Sequence, residues 1–188
     1  MKRFLKWVGI VLAVLLALGA WLFIEGIRQF KEELRPKVAL DQYEEIVRSR
    51  RDGSEYYSFL PASLDPSAEK ASFLHIPGFL QGGDVICLRL KLPQNEVEKL
   101  LEELRASDRT EVAGFGNISP PRCYPEYGIP KISHEDLYEV LGELPKGFRI
   151  FLFKSDLQDI EKNWNHNFLA FTAISLELGE VVYHVDNW

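Results

Sequence analysis

Eighteen consecutive residues, "WVGIVLAVLLALGAWLFI" at 7–24, carry no charge, and this run dominates the hydrophobic pattern of the chain. As a helix it spans about 27 Å, close to the hydrocarbon thickness of a bilayer. Lys2, Arg3 and Lys6 precede it and Glu25 closes it. Trp7 and Trp21 lie near its ends, where indole rings favour the membrane interface. A signal anchor and a secretory leader cut after Gly19 or Ala20 both fit such a segment, and a buried core helix is a third reading. The anchor is favoured, because Trp21, Leu22, Phe23 and Ile24 extend the apolar run past the small residues Ala17 and Gly19.

Beyond the run, period and breakers predict the following elements. Ile27, Phe30 and Leu34 share a helical face until Pro36 interrupts the ladder. A second helix follows to Gly53, with Leu40, Tyr43 and Val47 as its buried stripe. Arg48, Arg50 and Arg51 suit its C-terminal end, and an anionic headgroup is the alternative use for them. Residues 56–83 read as turns and short extended pieces. The clearest strand is "DVICLRLKLP", with Ile86, Leu88, Leu90 and Leu92 on one face and Val85, Cys87, Arg89 and Lys91 on the other. "QNEVEKLLEELRAS" predicts an amphipathic helix buried through Val97, Leu100, Leu101 and Leu104. A long loop covers 112–130. A helix opens at Ser133, with Asp136 in an acidic variant of the capping box and Leu137, Val140, Leu141 and Leu144 inward.

"GFRIFLFK" predicts a strand alternating Phe148, Ile150 and Leu152 against Arg149, Phe151 and Phe153. The last β runs form a hairpin about Gly179, with Phe171, Ala173, Val181, Tyr183 and Val185 on one side. The expected fold class is α+β: an N-terminal transmembrane helix, then one compact domain with an antiparallel sheet of about four strands and two or three packed helices. The expected division is 1–24 anchor, 25–53 juxtamembrane helical stalk and 54–188 domain.

Charge adds direction. Three of the 22 Lys and Arg precede the run, which leaves 19 against 28 acidic residues beyond it. That field repels phosphate backbones and excludes nucleic acid as a partner. Cations ahead of the run place the N-terminus in the cytoplasm and the domain outside the cell membrane, opposed only by Arg28, Lys31 and Arg35. The expected partners are the bilayer through 7–24 and an envelope protein.

Chemistry is sparse. Cys87 and Cys123 are the only cysteines, so one disulfide is available in an oxidising compartment, and two ordinary thiols is the alternative. His184 and Asp186, two apart on a strand, project from one face, and His166 lies just before the partner strand. They are the candidate acid–base residues, against a plain surface pairing. Their spacing matches no metal signature. Trp164, Tyr183 and Trp188 are candidates for an aromatic binding patch, with edge packing as the alternative. "GFLQGG" and "GFG" lack the context of a phosphate loop, so no cofactor is expected. The succession "LPASLDPSAEK", "ICLRLKLPQNEVEKLLEEL" and "VVYHVDNW" resembles small membrane-anchored or exported bacterial proteins of uncharacterised function. The resemblance covers about two-thirds of the chain and implies a location rather than a reaction. The expected function is a membrane-anchored binding or interaction domain, and the alternative is an extracytoplasmic hydrolase using His166, His184 and Asp186.

Overall fold

The computed structural model describes residues 2–78, 83–112, 122–128, 141–155 and 168–187, without the side chains of 2–6, 8–13, 55, 154 and 155. Two compact units divide the chain after Arg35. The first contains one helix, α1 (Lys2–Glu33), which takes in the whole uncharged run. Among the described residues no helix is long and apolar enough to cross a membrane.

The second unit starts at Pro36 rather than at residue 54. Its first helix, α2 (Tyr43–Gly53), buries Tyr43 and Val47 completely in the domain core. The Tyr43 ring meets Phe73 edge-on at 5.2 Å, and its hydroxyl donates to the Pro61 carbonyl at 2.6 Å. The helix is thus part of the fold and not of a stalk. Leu40 lies in a 3₁₀ turn (Leu40–Gln42) and is exposed, so the expected stripe begins at Tyr43.

Six antiparallel strands, not four, form the main sheet. They are β1 (Lys70–Ile76), β2 (Asp84–Lys91), β3 (Thr110–Val112), β6 (Arg149–Ser155), β7 (Phe168–Ser175) and β8 (Glu180–Asn187), in the order β1-β2-β8-β7-β6-β3. A two-stranded ribbon, β4 (Arg122–Pro125) with β5 (Leu141–Glu143), makes a second sheet. Leu141 therefore belongs to a strand, where a helical face was expected. Leu144, expected on the same helical face, follows the strand without helix and packs against the ribbon-side core; residues 133–140 of that expected helix lie outside the described residues.

The β2 alternation separates two cores. Ile86, Leu88 and Leu90 face the helices, where α2 and α3 (Gln94–Ala106) bury Tyr43, Val47, Val97, Leu101 and Leu104. Cys87 faces the other way, with Leu74, Phe171 and Val182, towards Cys123 and Leu141 of the ribbon. Burying both faces gives the middle strands near-continuous apolar runs. β7 is buried along its whole length.

The turn at 176–179 sets the register of the last hairpin. Gly179 has φ +66°, and a Cβ there would sit 3.2 Å from the Leu92 carbonyl oxygen, which accepts no bulk; the Leu92 N–H in turn donates to Gly179 O at 2.9 Å. A four-residue turn pairs odd with even positions: Phe171 with His184, and Ala173 with Val182. Phe171 and Ala173 therefore face the ribbon, whereas Val181, Tyr183 and Val185 face the helices. The single shared side expected for all five does not form.

Candidate functional site

Long-range strand pairing brings polar side chains together in three places, each with a different capacity left for chemistry. On the ribbon face, β2–β8 pairing sets Cys87 opposite His184 and Val85 opposite Asp186. Cys87 Sγ and His184 Nδ1 lie 3.2 Å apart. His184 Nε2 stands 3.9 Å from Asp186 Oδ2, beyond hydrogen-bond length. His184 and Asp186 do share one strand face, as their spacing predicts. Cys87 as the third member was missed, because it is 97 residues from His184 and no short motif joins them.

The row is sealed. His184 is 1% exposed, its ring 5.0 Å from that of Phe171. Burial pushes the imidazole down to about 3 and the Asp186 carboxyl up to about 7. Burial, with the charges of Cys123 and Asp186, holds the Cys87 thiol well above its ordinary value. Burial and Asp186 push Cys123 up to about 12. The thiol thus keeps its proton beside a neutral ring, and one proton is shared across the contact between Sγ and Nδ1. A nucleophilic cysteine needs the reverse: a thiolate in electropositive, accessible surroundings. Both thiols are free and buried. Nε2 of His184 and Oδ1 of Asp186 have no hydrogen-bond partner among the described residues.

On the helix face, Asp84 collects side chains from three other elements. Its carboxylate accepts from Arg50 Nη2 at 3.0 Å and from the Tyr57 hydroxyl at 2.8 Å. His75 Nε2 lies 2.7 Å from Oδ1. Burial alone would raise this carboxyl; the hydrogen bond and charge of His75, the charge of Arg50 and the Tyr57 bond outweigh it and hold Asp84 below the ordinary range. Arg51 Nη1 donates to the Leu60 carbonyl at 3.2 Å. Two of the three arginines considered for a headgroup therefore serve the fold.

The third grouping is closed by its own members. The Arg89 guanidinium lies between the Tyr124 and Tyr127 rings, 3.7 and 4.0 Å from their centroids. Glu180 accepts from Arg89 Nη2 at 2.7 Å, from Tyr127 at 3.0 Å, and from Tyr124. Arg89 Nη1 donates to Pro125 O at 3.1 Å, which ties β4 to the sheet. Every strong group here is partnered within the cluster, so it clamps and does not receive.

Of the aromatic candidates, Tyr183 is buried on the helix face, where it lines a cavity of about 150 Å³ under α3. Trp164, Trp188 and His166 lie outside the described residues. Among the described residues no three His, Cys, Asp or Glu side chains converge in a metal-binding arrangement. A scan against family models, a search of curated proteins and a search of solved structures each find no match to this chain.

Proposed function

We propose that the protein is a single-pass membrane protein whose α+β domain is a binding module of the cell envelope. One observation carries the anchor: the uncharged run lies inside one continuous helix, and its described large apolar side chains are exposed, from Leu18 at 55% to Phe23 at 70%. Trp7 and Trp21 are 67% and 61% exposed near its two ends. A contiguous apolar surface of this kind is costly in water and is stable in lipid. The positive-inside preference supports a cytoplasmic N-terminus and an outward domain.

Burial supports binding over catalysis. The competing hydrolase reading rests on the Cys87–His184–Asp186 row, and its one favourable feature is the 3.2 Å contact. A neutral thiol beside a neutral imidazole in a sealed core does not activate a nucleophile. The partner is an envelope protein or ligand.

The experiment is a pair of C-terminal fusions, one to a reporter active only outside the cell membrane and one to a reporter active only inside. Activity of the outer reporter alone, with the uncut chain in the membrane pellet, is the expected result. Activity of the inner reporter alone overturns the orientation. A shortened chain released from membranes replaces the anchor with a cleaved leader. An in vivo phenotype that is lost in His184→Gln, with stability retained, would return the hydrolase.

A further inference from the structure

α1 does not stop with the uncharged run but continues to Glu33, and its side chains beyond Ile24 are sorted by type around the helix. The winding persists to Arg35: the Leu34 N–H donates to the Phe30 carbonyl at 3.2 Å, and the Arg35 N–H closes a tighter turn on that of Glu32 at 3.2 Å. At about 100° per residue, Arg28, Lys31 and Arg35 fall in one sector, between an apolar sector of Ile27, Phe30 and Leu34 and an acidic one of Glu25, Glu32 and Glu33. Ile24, Ile27, Arg28, Lys31, Glu32 and Arg35 line one open groove on the helix surface. Ile27 and Phe30 are 41% and 45% exposed.

The cations retain capacity for an outside anion. Arg28 stands 3.9 Å from Glu25, and Arg35 3.1 Å from Glu32, in exposed pairs one turn apart. Such pairs are weak in water and yield to a better-placed anion. Lys31 has no ion-pair partner among the described residues. Depth then ranks the three. At about 1.5 Å per residue, Arg28 lies about 6 Å, Lys31 about 10 Å and Arg35 about 16 Å past Ile24 along the axis. The headgroup layer extends about 5–8 Å beyond the hydrocarbon on each side. Arg28 stands inside it, and Lys31 reaches it by laying its stem back along the helix. Arg35 stands past it.

We propose that residues 25–35 form a binding site for anionic phospholipid in the leaflet on the domain's side of the membrane. Arg28 and Lys31 hold the lipid phosphate, and Ile27 and Phe30 rest at the acyl boundary. Cations bordering an apolar stripe at headgroup depth are the complement of an anionic lipid. The proposal rests on the anchor reading and gives it a lipid preference.

The test is electron paramagnetic resonance of spin-labelled phosphatidylglycerol and spin-labelled phosphatidylcholine in phosphatidylcholine vesicles carrying the full-length chain. Phosphatidylglycerol is expected to associate about threefold more strongly. Raising salt from about 0.1 M to 1 M is expected to remove most of that preference. Lys2, Arg3 and Lys6 meet the opposite leaflet, so the measurement is repeated with all three changed to Gln. In that background the preference is expected to persist, to vanish in Arg28→Gln/Lys31→Gln, and to survive both Arg35→Gln and the charge-conserving Arg28→Lys/Lys31→Arg. Absence of preference in that background overturns the proposal. So does a preference that Arg28→Gln/Lys31→Gln leaves unchanged, or one that the charge-conserving pair abolishes. Competition by millimolar inorganic phosphate at constant ionic strength would assign the cations to a free anion and overturn the lipid as ligand. A chain that fails to float with the vesicles overturns the anchor as well, whereas a floating chain without preference overturns the lipid site alone.

Discussion

Two buried aspartates lie on neighbouring strands and opposite faces of the sheet, and they behave in opposite ways. Asp84 pairs with Asn187 in the β2–β8 ladder, and Asp186 with Val85 one rung away. Both are 7% exposed. Asp84 is ringed by Arg50, Tyr57 and His75 and is held ionised. Asp186 has one imidazole at 3.9 Å and an oxygen without a partner among the described residues, and burial pushes its carboxyl up to about 7. Equal burial thus produces unequal chemistry, because donors decide whether a buried carboxylate keeps its charge. The helix face uses its carboxylate to hold α2 on the sheet. The ribbon face stores a proton.

The largest effect separating the two is Asp84→Ala. It strands the Arg50 charge and two hydrogen-bonding side chains, and the expected loss is about 2–4 kcal/mol in urea unfolding at pH 7. Asp186→Asn, which keeps the volume and removes the ionisation, is expected to be near neutral at pH 3, below the unfolded value of 3.8, and increasingly stabilising as pH rises to 7. A loss of similar size in both variants would erase the contrast.

The pH dependence sharpens it. Asp186 titrates at about 7 in the fold and at 3.8 unfolded, so the folded state holds the extra proton between those values and stability falls as pH rises through them. His184, at about 3 folded against 6.5 unfolded, has the opposite sign: its contribution is full above 6.5 and is lost as pH falls. Between about pH 4 and 6.5 the two slopes cancel in the parent chain. Asp186→Asn uncovers a rise in stability with pH up to 6.5, and His184→Gln uncovers a fall from pH 4 to 7, each at most about 1.4 kcal/mol per pH unit. Urea unfolding of the three chains at five pH values reads these slopes. Parallel profiles would contradict the pairing.

Smaller changes test the ring around Asp84 and the thiols beside Asp186. Tyr57→Phe deletes one bond to a charged acceptor and is expected to cost about 1.5–3 kcal/mol at pH 7 and less once acid has protonated the carboxyl, which happens below the ordinary carboxylate range. Alkylation of Cys87 and Cys123 is expected to be negligible in the folded chain and complete for both in denaturant. A count of zero reactive thiols after denaturation without reductant would show that they are joined as a disulfide.

Local pattern carried a good part of the fold. The two faces of β2, the Val97, Leu101 and Leu104 stripe of α3, the Tyr43 and Val47 stripe of α2 and the Gly179 turn are all visible in spacing. β1 was not, since "KASFLHI" is buried on both faces and follows a stretch rich in Ser and Pro. β3 and β4, of three and four residues, are too short to show a period. The polar groupings were the least legible. Arg50 is 34 residues from Asp84, and Arg89 is 91 from Glu180. His184 and Asp186 were legible as a pair because a strand repeats every two residues. Their burial was not, because it depends on Phe171 and the ribbon, which reach them only through the fold.

The most direct measurement is the fate of the full-length chain when cell membranes are washed with alkaline carbonate and pelleted, followed by protease treatment from the outside of intact cells. The uncut chain in the pellet, with residues 36–188 digested from outside and α1 protected, is the predicted result. Full-length chain in the supernatant, without detergent, would contradict the account.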